Sequence, residues 1–469
     1  MKKVYLFAVA LLSITAADAQ VSFRKMQNMI PRSKDGLNMF DVRKDDVEFD
    51  GLSIDLGGAF AMQFQALNSF NDQQEGTYTA SNGALIAGSS GTTGYRLNNL
   101  ANNFNLPAAN LTIGAQLADG VRVNLDIYLS SRHHNETWVK GGFLQIDKLD
   151  FIKKDFMAEL MKYTTIKVGQ MENNYGDSHF RRTDNGNALL NPFIEANIMD
   201  SFQTDMGMEV YYQKNGIVTM IGITNGKLNQ GVAEFVQSTP STTSPDPNEK
   251  VSPTILAKLG YDKQLDKDLR VRITGSLNHN SNMSSNPWSS DRAGSRYFGV
   301  MSHQAYSYNG AAQANNFDPT SNATTGRFNP GYGNWYTAFM INPFVKYQGL
   351  EFFGTLEFTS GGDKKGTDDT RKVDQYAADV VYRFGDKERF YLGARYNIVS
   401  GKLSNASNEV NVNRFETSAG WFMTKNIIAK LAYTNQNYSD YSQYNGSTSL
   451  NDFYGGNFNG IMFEAAITF

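Results

Sequence analysis

Residues 172–203 carry fixed charges that could act on ions. Arg181 and Arg182 stand side by side between Asp177 and Asp184. Charged side chains at a narrow point of a water-filled channel bias which ions enter it. The same stretch also contains an apolar part, which would be unusual on a loop exposed to water. We therefore predict that 172–203 folds into a pore as its constriction; the alternative is a loop packed on a neighbouring subunit.

The sequence offers little for catalysis. It contains no phosphate-binding glycine loop, no dinucleotide fingerprint, no nucleophile elbow and no His-Glu-x-x-His motif. The five histidines all fall in predicted loops: His133, His134, His179, His279 and His303. The adjacent pair His133-His134 could bind a metal, but neighbours on extended chain point apart. We predict no catalytic residue, metal or cofactor. A barrel enzyme acting on lipid or protein is kept as an alternative.

The elements that would position such a site are strands with two different faces. In 350–359 one face is almost wholly apolar and the other is mostly polar, with Phe353 as its one aromatic exception. The apolar face holds Leu350, Phe352, Leu356 and Phe358, and the polar face holds Glu351, Thr355, Glu357 and Thr359. Because successive side chains of a strand point to opposite sides, this pattern indicates one greasy and one wet surface.

Short and long connections alternate between these segments. Asp119-Gly120 and Asn215-Gly216 are residue pairs that a two-residue hairpin turn requires. Outer-membrane barrels have short turns on the periplasmic side and long loops outside. The sequence thus predicts an all-β fold, a transmembrane antiparallel β-barrel of about sixteen strands. The strands are expected near 52–66, 109–118, 121–131, 137–147, 164–171, 204–214, 216–226, 254–262, 268–278, 334–347, 350–360, 372–384, 389–399, 410–423, 427–437 and 457–469.

Two stretches are harder to place. A possible further strand near 295–306 would break the even strand number, so we expect it in a loop. The connection 148–163 is long for a periplasmic turn, and its apolar residues recur at helical spacing, which predicts a short helix. The alternative is that the flanking strands extend further into it.

The N-terminal residues indicate export. Lys2 and Lys3 precede an apolar stretch that ends before Ala17-Asp18-Ala19, so we expect 1–19 to be a signal peptide. Residues 20–51 are then a periplasmic segment, and 52–469 form the barrel in the cell outer membrane, in contact with outer-membrane lipids and lipopolysaccharide. The chain has no cysteine, which excludes a disulfide framework, and its net charge of −3 argues against nucleic acid as a partner.

The strand Thr165-Ile-Lys-Val-Gly-Gln170 and the irregular loop after it resemble the general-diffusion and phosphate-selective (O/P type) porins of Gram-negative bacteria. The resemblance implies a sixteen-stranded barrel, usually a homotrimer, in which this loop narrows the pore. Phosphate-selective members carry a cluster of loop lysines that is missing here, so phosphate specificity is not expected.

Function would sit in the lumen. Assigning each apolar face to lipid directs twelve basic and eight acidic side chains inward. The basic residues are Arg122, Arg132, Lys167, Lys258, Arg270, Arg272, Lys346, Arg383, Arg389, Arg395, Arg414 and Lys430. The acidic residues are Asp55, Asp126, Glu209, Glu351, Glu357, Asp379, Glu416 and Glu464.

This excess of positive charge predicts passive diffusion of small polar or anionic solutes. The alternative for the charges is that they pair across neighbouring strands and only stiffen the wall. The alternative for the protein is a scaffold or interaction partner in an outer-membrane complex.

Overall fold

The computed structural model describes residues 25–72, 97, 99–129, 138–181, 187–227, 251–289, 295–302, 306–308, 313–315, 324–363, 369–404, 406–444 and 452–469. Within them, sixteen antiparallel strands form one closed barrel, each hydrogen-bonded to its sequence neighbour in the wall. The predicted strand number and order are confirmed.

The barrel strands have bounds close to those predicted, with β1 and β2 longer at the loop end. They are β1 (Ser53–Phe70), β2 (Asn103–Ala118), β3 (Val121–Leu129), β4 (Trp138–Ile146), β5 (Thr164–Glu172), β6 (Thr204–Lys214), β7 (Ile217–Thr224), β8 (Thr254–Gln264), β9 (Leu269–Asn280), β12 (Trp335–Tyr347), β13 (Leu350–Gly362), β14 (Arg371–Phe384), β15 (Phe390–Gly401), β16 (Val410–Thr424), β17 (Ile427–Ser439) and β18 (Asn457–Thr468). A separate two-stranded hairpin consists of β10 (Tyr306–Tyr308) and β11 (Gln313–Asn315), and 295–302 is a loop.

The short connections show the backbone that their residues predict. Asn215 and Gly216 both have positive φ, 54° and 90°, as a tight hairpin between β6 and β7 requires. The connection 148–163 contains one α-helix, α1 (Ala158–Met161), and turns elsewhere, so the predicted helix is there but only one turn long. None of the described helices is long and apolar enough to cross a membrane.

The outer surface of the barrel is apolar. In β13, Leu350 is 47% exposed whereas its neighbour Glu351 is 1% exposed, so the alternation separates an outer from an inner face as predicted. At the turn end, four exposed rings follow one another around the outside at centroid distances of 5.8 to 6.3 Å: Tyr382, Phe384, Phe390 and Trp421. Such a girdle of aromatic rings suits the interface between lipid and water.

The inside of the barrel is occupied by three stretches of chain. The N-terminal segment (25–50) enters from the turn end, where the Lys34 amide donates to the Lys425 carbonyl at 2.7 Å. The constriction loop (173–203) crosses the middle between β5 and β6. The outer loop (284–289, 295–302 and 324–334) packs buried aromatic residues against wall residues from the loop end. The hydrophobic core of the protein therefore lies within the lumen.

Candidate functional site

The constriction loop is buried inside the barrel. Its apolar residues are almost completely shielded from solvent: Leu189, Leu190, Phe193, Ile194 and Ile198. This burial agrees with the prediction that the apolar part of the loop faces the inside of the barrel. Burial of these side chains removes the unfavourable contact with water that an outward-pointing loop would have kept.

Hydrogen bonds attach the middle of this loop to one wall, formed by β13 to β17. The Gln375 side chain accepts from the Met199 amide at 2.9 Å and donates to the Met199 carbonyl at 2.7 Å. The Asn397 side chain accepts from the Ile198 amide at 2.6 Å. Because wall side chains satisfy these backbone groups, the loop can be irregular and still be buried.

Charged and hydroxyl groups of the same wall hold the carbonyl groups of the loop. The Lys430 ammonium donates to three of them, those of Ala188, Asn191 and Phe193, at 2.8 to 3.2 Å. The Pro192 carbonyl accepts from the hydroxyl groups of Tyr391 and Ser418, that of Glu195 accepts from Arg395, and that of Ala196 accepts from Arg414. A single wall therefore carries most of the described polar contacts of 188–199.

Asp177 attaches the start of the loop to β8 and β9. Its carboxylate accepts from Arg272 at 2.7 and 2.9 Å, from Lys258 at 3.0 Å and from the Thr274 hydroxyl at 2.8 Å. Burial by itself raises the pKa of Asp177, but the two cations outweigh it and hold the pKa well below its usual value. The carboxylate is therefore ionised and serves as a structural anchor.

Arg181 does not present a free charge to solvent. Its guanidinium donates to the Asn38 side chain at 2.6 Å and lies 3.8 Å from the Glu351 carboxylate. It also lies over the Phe353 ring, 4.7 Å from the centroid. Arg182 and Asp184, predicted at the constriction, and Arg132, predicted in the lumen, lie outside the described residues.

Most of the predicted lumenal charges that are described pair with other residues inside the barrel. Arg395 faces Asp379 across the β14–β15 register at 2.7 Å, and Arg383 contacts Glu351 at 2.8 Å. Several other described residues have these partners: Arg122 with Gln145, Arg270 with Asp262, Lys346 with Glu388, Asp126 with Thr112, and Glu357 with Tyr175, Trp288 and Gln375. Arg389 differs, because it is exposed in the turn before β15 with its guanidinium 5.6 Å from the Phe390 ring.

Pairing with acidic residues reduces the excess of positive charge that was expected in the lumen. Opposite charges on adjacent strands neutralise each other across the register. The alternative that charges pair across neighbouring strands and stiffen the wall describes Arg395 with Asp379, Arg383 with Glu351 and Arg270 with Asp262. The described part of the lumen offers few unpaired arginines to attract anions.

The N-terminal segment was expected in the periplasm, but residues 25–50 reach into the barrel from the turn end. Phe40 is buried among Phe344, Phe353 and Phe180, with ring centroids 5.2 to 6.3 Å away. Asp41 pairs with Arg272 at 2.7 Å. Phe353, the one aromatic residue on the polar face of its strand, was the sequence signal for this contact.

The outer loop covers the constriction loop from the other side. Glu195 accepts from the Ser295 hydroxyl at 2.8 Å and the Arg296 amide at 2.6 Å, and it lies 3.3 Å from Arg327. Burial by itself raises the pKa of Glu195, but the positive charges of Arg327 and Arg414 outweigh this effect, and the pKa lies below its usual value. An ionised, buried carboxylate thus joins the two loops.

Open space remains beside the opposite wall. A cavity of about 210 Å³ lies along β2 to β6, lined by polar wall residues that include Asp126, Lys140, Lys167 and Glu209. A second cavity of about 290 Å³ lies toward the turn end along β5 to β8. Val42 and Tyr211 line both cavities, so the two are adjacent.

His179 of the constriction loop faces the first cavity. Burial lowers the pKa of His179 well below its usual value, and the nearby Lys258 lowers it further. The imidazole is therefore neutral at neutral pH. It contacts the Asn174 side-chain oxygen at 2.8 Å. The described ionisable lining thus combines two lysines with four carboxylates, those of Asp41, Asp126, Glu172 and Glu209.

This architecture defines the class of protein. A bilayer requires every backbone donor and acceptor to be paired within the protein, which a closed barrel achieves. The chain is an outer-membrane β-barrel, because its sheet is closed and its outer surface is apolar. Sixteen strands is the size at which porins enclose an aqueous channel.

Several solved outer-membrane proteins are similar to this chain in structure. No family model and no curated protein sequence matches the chain. Among solved structures, an anion-selective porin from Comamonas acidovorans has a TM-score of 0.46 at 10% identity, covering 89% of this chain and 100% of that one. The outer membrane channel DcaP of Acinetobacter baumannii has a TM-score of 0.45 at 10% identity, covering 90% of this chain and 99% of that one. The trimer form of OmpT, an outer membrane protein of Vibrio cholerae, has a TM-score of 0.45 at 9% identity, covering 90% of this chain and 100% of that one.

Proposed function

We propose that this protein is a porin whose water-filled path runs along the β2–β6 wall, beside the constriction loop, and lets small polar solutes diffuse passively. One observation carries the proposal: the loop is attached to β13–β17, while the two adjacent cavities lie on the opposite side of the lumen. A loop held against one wall narrows a barrel without filling its whole cross-section.

The lining suggests which solutes pass. Lys140 and Lys167 face the path together with several carboxylates, so fixed charges of both signs are present. Mixed charge favours neutral polar and zwitterionic solutes over a single ion type. The anionic preference expected from the sequence is weakened, since Arg395, Arg383 and Arg272 are paired with acids elsewhere in the lumen.

Val42 provides the test of this path, because it lines both cavities. The variant Val42→Trp should lower single-channel conductance in planar bilayers, since the larger ring would occupy the junction. Val345→Trp is the matched control, because Val345 is on the lipid-facing surface at 37% exposure, and its conductance should equal that of the wild type. Equal conductance of the wild type and the Val42 variant would refute this path.

The scaffold function remains as the second candidate, and the three stretches of chain inside the barrel favour it. It predicts folded, inserted protein with no measurable conductance. As part of the porin proposal, we also propose that the protein is a homotrimer, as the porin resemblance implies. The mass of the protein in native detergent micelles or nanodiscs tests it, and a monomeric mass would refute it.

A further inference from the structure

A groove lies at the turn end of the barrel, next to the second cavity, with which it shares Lys44 and Lys162. It has a volume of about 710 Å³ and runs between residues 44–49 of the N-terminal segment and the connection 147–162. The salt bridge from Lys44 to Asp147, at 2.5 Å, joins the two sides at its base. None of the functions described above uses this groove.

The groove combines apolar and acidic surface. Its apolar lining consists of Val47, Phe49, Leu149, Phe156, Ala158 and Met161. Phe49 and Phe156 are 36% and 38% exposed, so aromatic surface is open to a partner. Seven carboxylates and three lysines complete the lining. All three lysines already pair with carboxylates: Lys44 with Asp147, Lys148 with Asp119 and Lys162 with Glu159.

Four of the remaining carboxylates are those of Asp45, Asp46, Asp150 and Asp155. Asp45 accepts the Asn28 amide at 3.0 Å, and Asp150 accepts the Asp155 amide at 3.1 Å. Neither bond neutralises a charge, so the groove keeps a negative field around an apolar floor. Anionic lipid phosphates would be repelled by this field, which argues against the inner leaflet as its occupant.

We propose that this groove docks a basic, amphipathic peptide segment of a partner protein on the periplasmic side. Apolar side chains of the segment would cover Phe49 and Phe156, and its lysines or arginines would face the acidic rim. Burial of the rings supplies affinity, and the rim selects the sign of the partner's charge.

The test uses the full chain in nanodiscs of zwitterionic phosphatidylcholine, with empty nanodiscs as the blank. The probe is a fluorescein-labelled synthetic peptide of alternating lysine and leucine, and the comparison peptide alternates glutamate and leucine. Fluorescence anisotropy should show saturable binding of the basic peptide, weakened by added salt, and much weaker binding of the acidic one.

A matched pair of variants locates the binding. Replacing Asp45, Asp46, Asp150 and Asp155 by Asn should weaken binding of the basic peptide on the order of tenfold or more. Folding should survive, since the Asn oxygen at positions 45 and 150 still accepts from the Asn28 and Asp155 amides, and only the bond from the Val47 amide to Asp45, at 3.2 Å, is lost. The control carries Asp→Asn at Asp266, Asp268 and Asp386, which lie in turns at the same end but outside the groove, and it should bind as the wild type does.

Three results would overturn the proposal. They are an absence of saturable binding to the wild type, equal affinity for the two peptides, and unchanged affinity in the four-site variant. A second variant, Phe49→Ser with Phe156→Ser, tests the apolar floor separately. It should also bind the basic peptide more weakly, and wild-type affinity in this variant would remove the floor from the site.

Discussion

Asp177 should be the most sensitive position in the constriction loop. It receives four described hydrogen bonds from side chains, two from Arg272 and one each from Lys258 and Thr274, at 2.7 to 3.0 Å. The variant Asp177→Asn removes the negative charge and directs an amide toward two cations. Arg272 keeps Asp41 and Asp262 as partners, but Asp177 is the carboxylate with which Lys258 forms its described ion pair.

Leaving a buried charge uncompensated costs about 3–5 kcal/mol. We therefore expect Asp177→Asn to lower the free energy of unfolding in detergent by about this amount and to increase current noise in single-channel recordings, because the loop loses its anchor on β8 and β9. Asp266→Asn, in an exposed turn, is the control. Adding Lys258→Met should restore part of the lost stability, since it removes the stranded cation. A loss below about 0.5 kcal/mol, with unchanged noise, would refute the role of Asp177 as an anchor.

Three further outcomes are expected. Leu259→Arg, on the outer surface in the middle of β8, should cost roughly 2–4 kcal/mol of folding free energy in bilayers, whereas Leu265→Arg in the following turn should cost at most about 1 kcal/mol. Phe40→Ala should lose about 3–5 kcal/mol of packing and open the N-terminal segment to protease, while the exposed Phe49→Ala should not. Burial lowers the pKa of His179, so the unfolded chain binds a proton at this residue more readily than the folded protein does. The free energy of unfolding should therefore decrease as the pH falls below the unfolded pKa of about 6.5. Unfolding measured across this acid range should show the decrease in the wild type and not in His179→Gln.

The structure changes the expected role of the arginine pair. A free Arg181 at the constriction would have attracted anions, but the observed side chain contacts Asn38, Glu351 and Phe353. Arg181→Glu would therefore place a carboxylate beside the buried Glu351. We expect the change to lower stability rather than only shift ion selectivity, and reversal potentials for this variant would have to be measured on protein shown to be folded.

The barrel itself could be predicted from the sequence, because the signals that specify it are local. Alternation in 350–359 depends only on the two-residue period of a strand, and Asn215-Gly216 can adopt the positive φ of its turn without help from distant residues. Strand number and order follow, since antiparallel neighbours in the wall are also neighbours in sequence. Burial of the apolar part of 172–203 could be predicted for a similar reason, as five large apolar residues need a place away from water.

The interior could not be predicted in the same way, because its contacts join residues that are remote in sequence. Asp177 meets Arg272 across 95 residues, and Asn38 meets Glu351 across 313. A lumenal arginine looks the same in the sequence whether it faces water or a carboxylate, and the placement of Phe40 depends on rings from two other strands and a loop. Sequence alone therefore determined an outer-membrane barrel with an inward-folding loop. Only the tertiary structure decided which charges are neutralised and on which side space remains, since both depend on how three separate stretches of chain share one lumen.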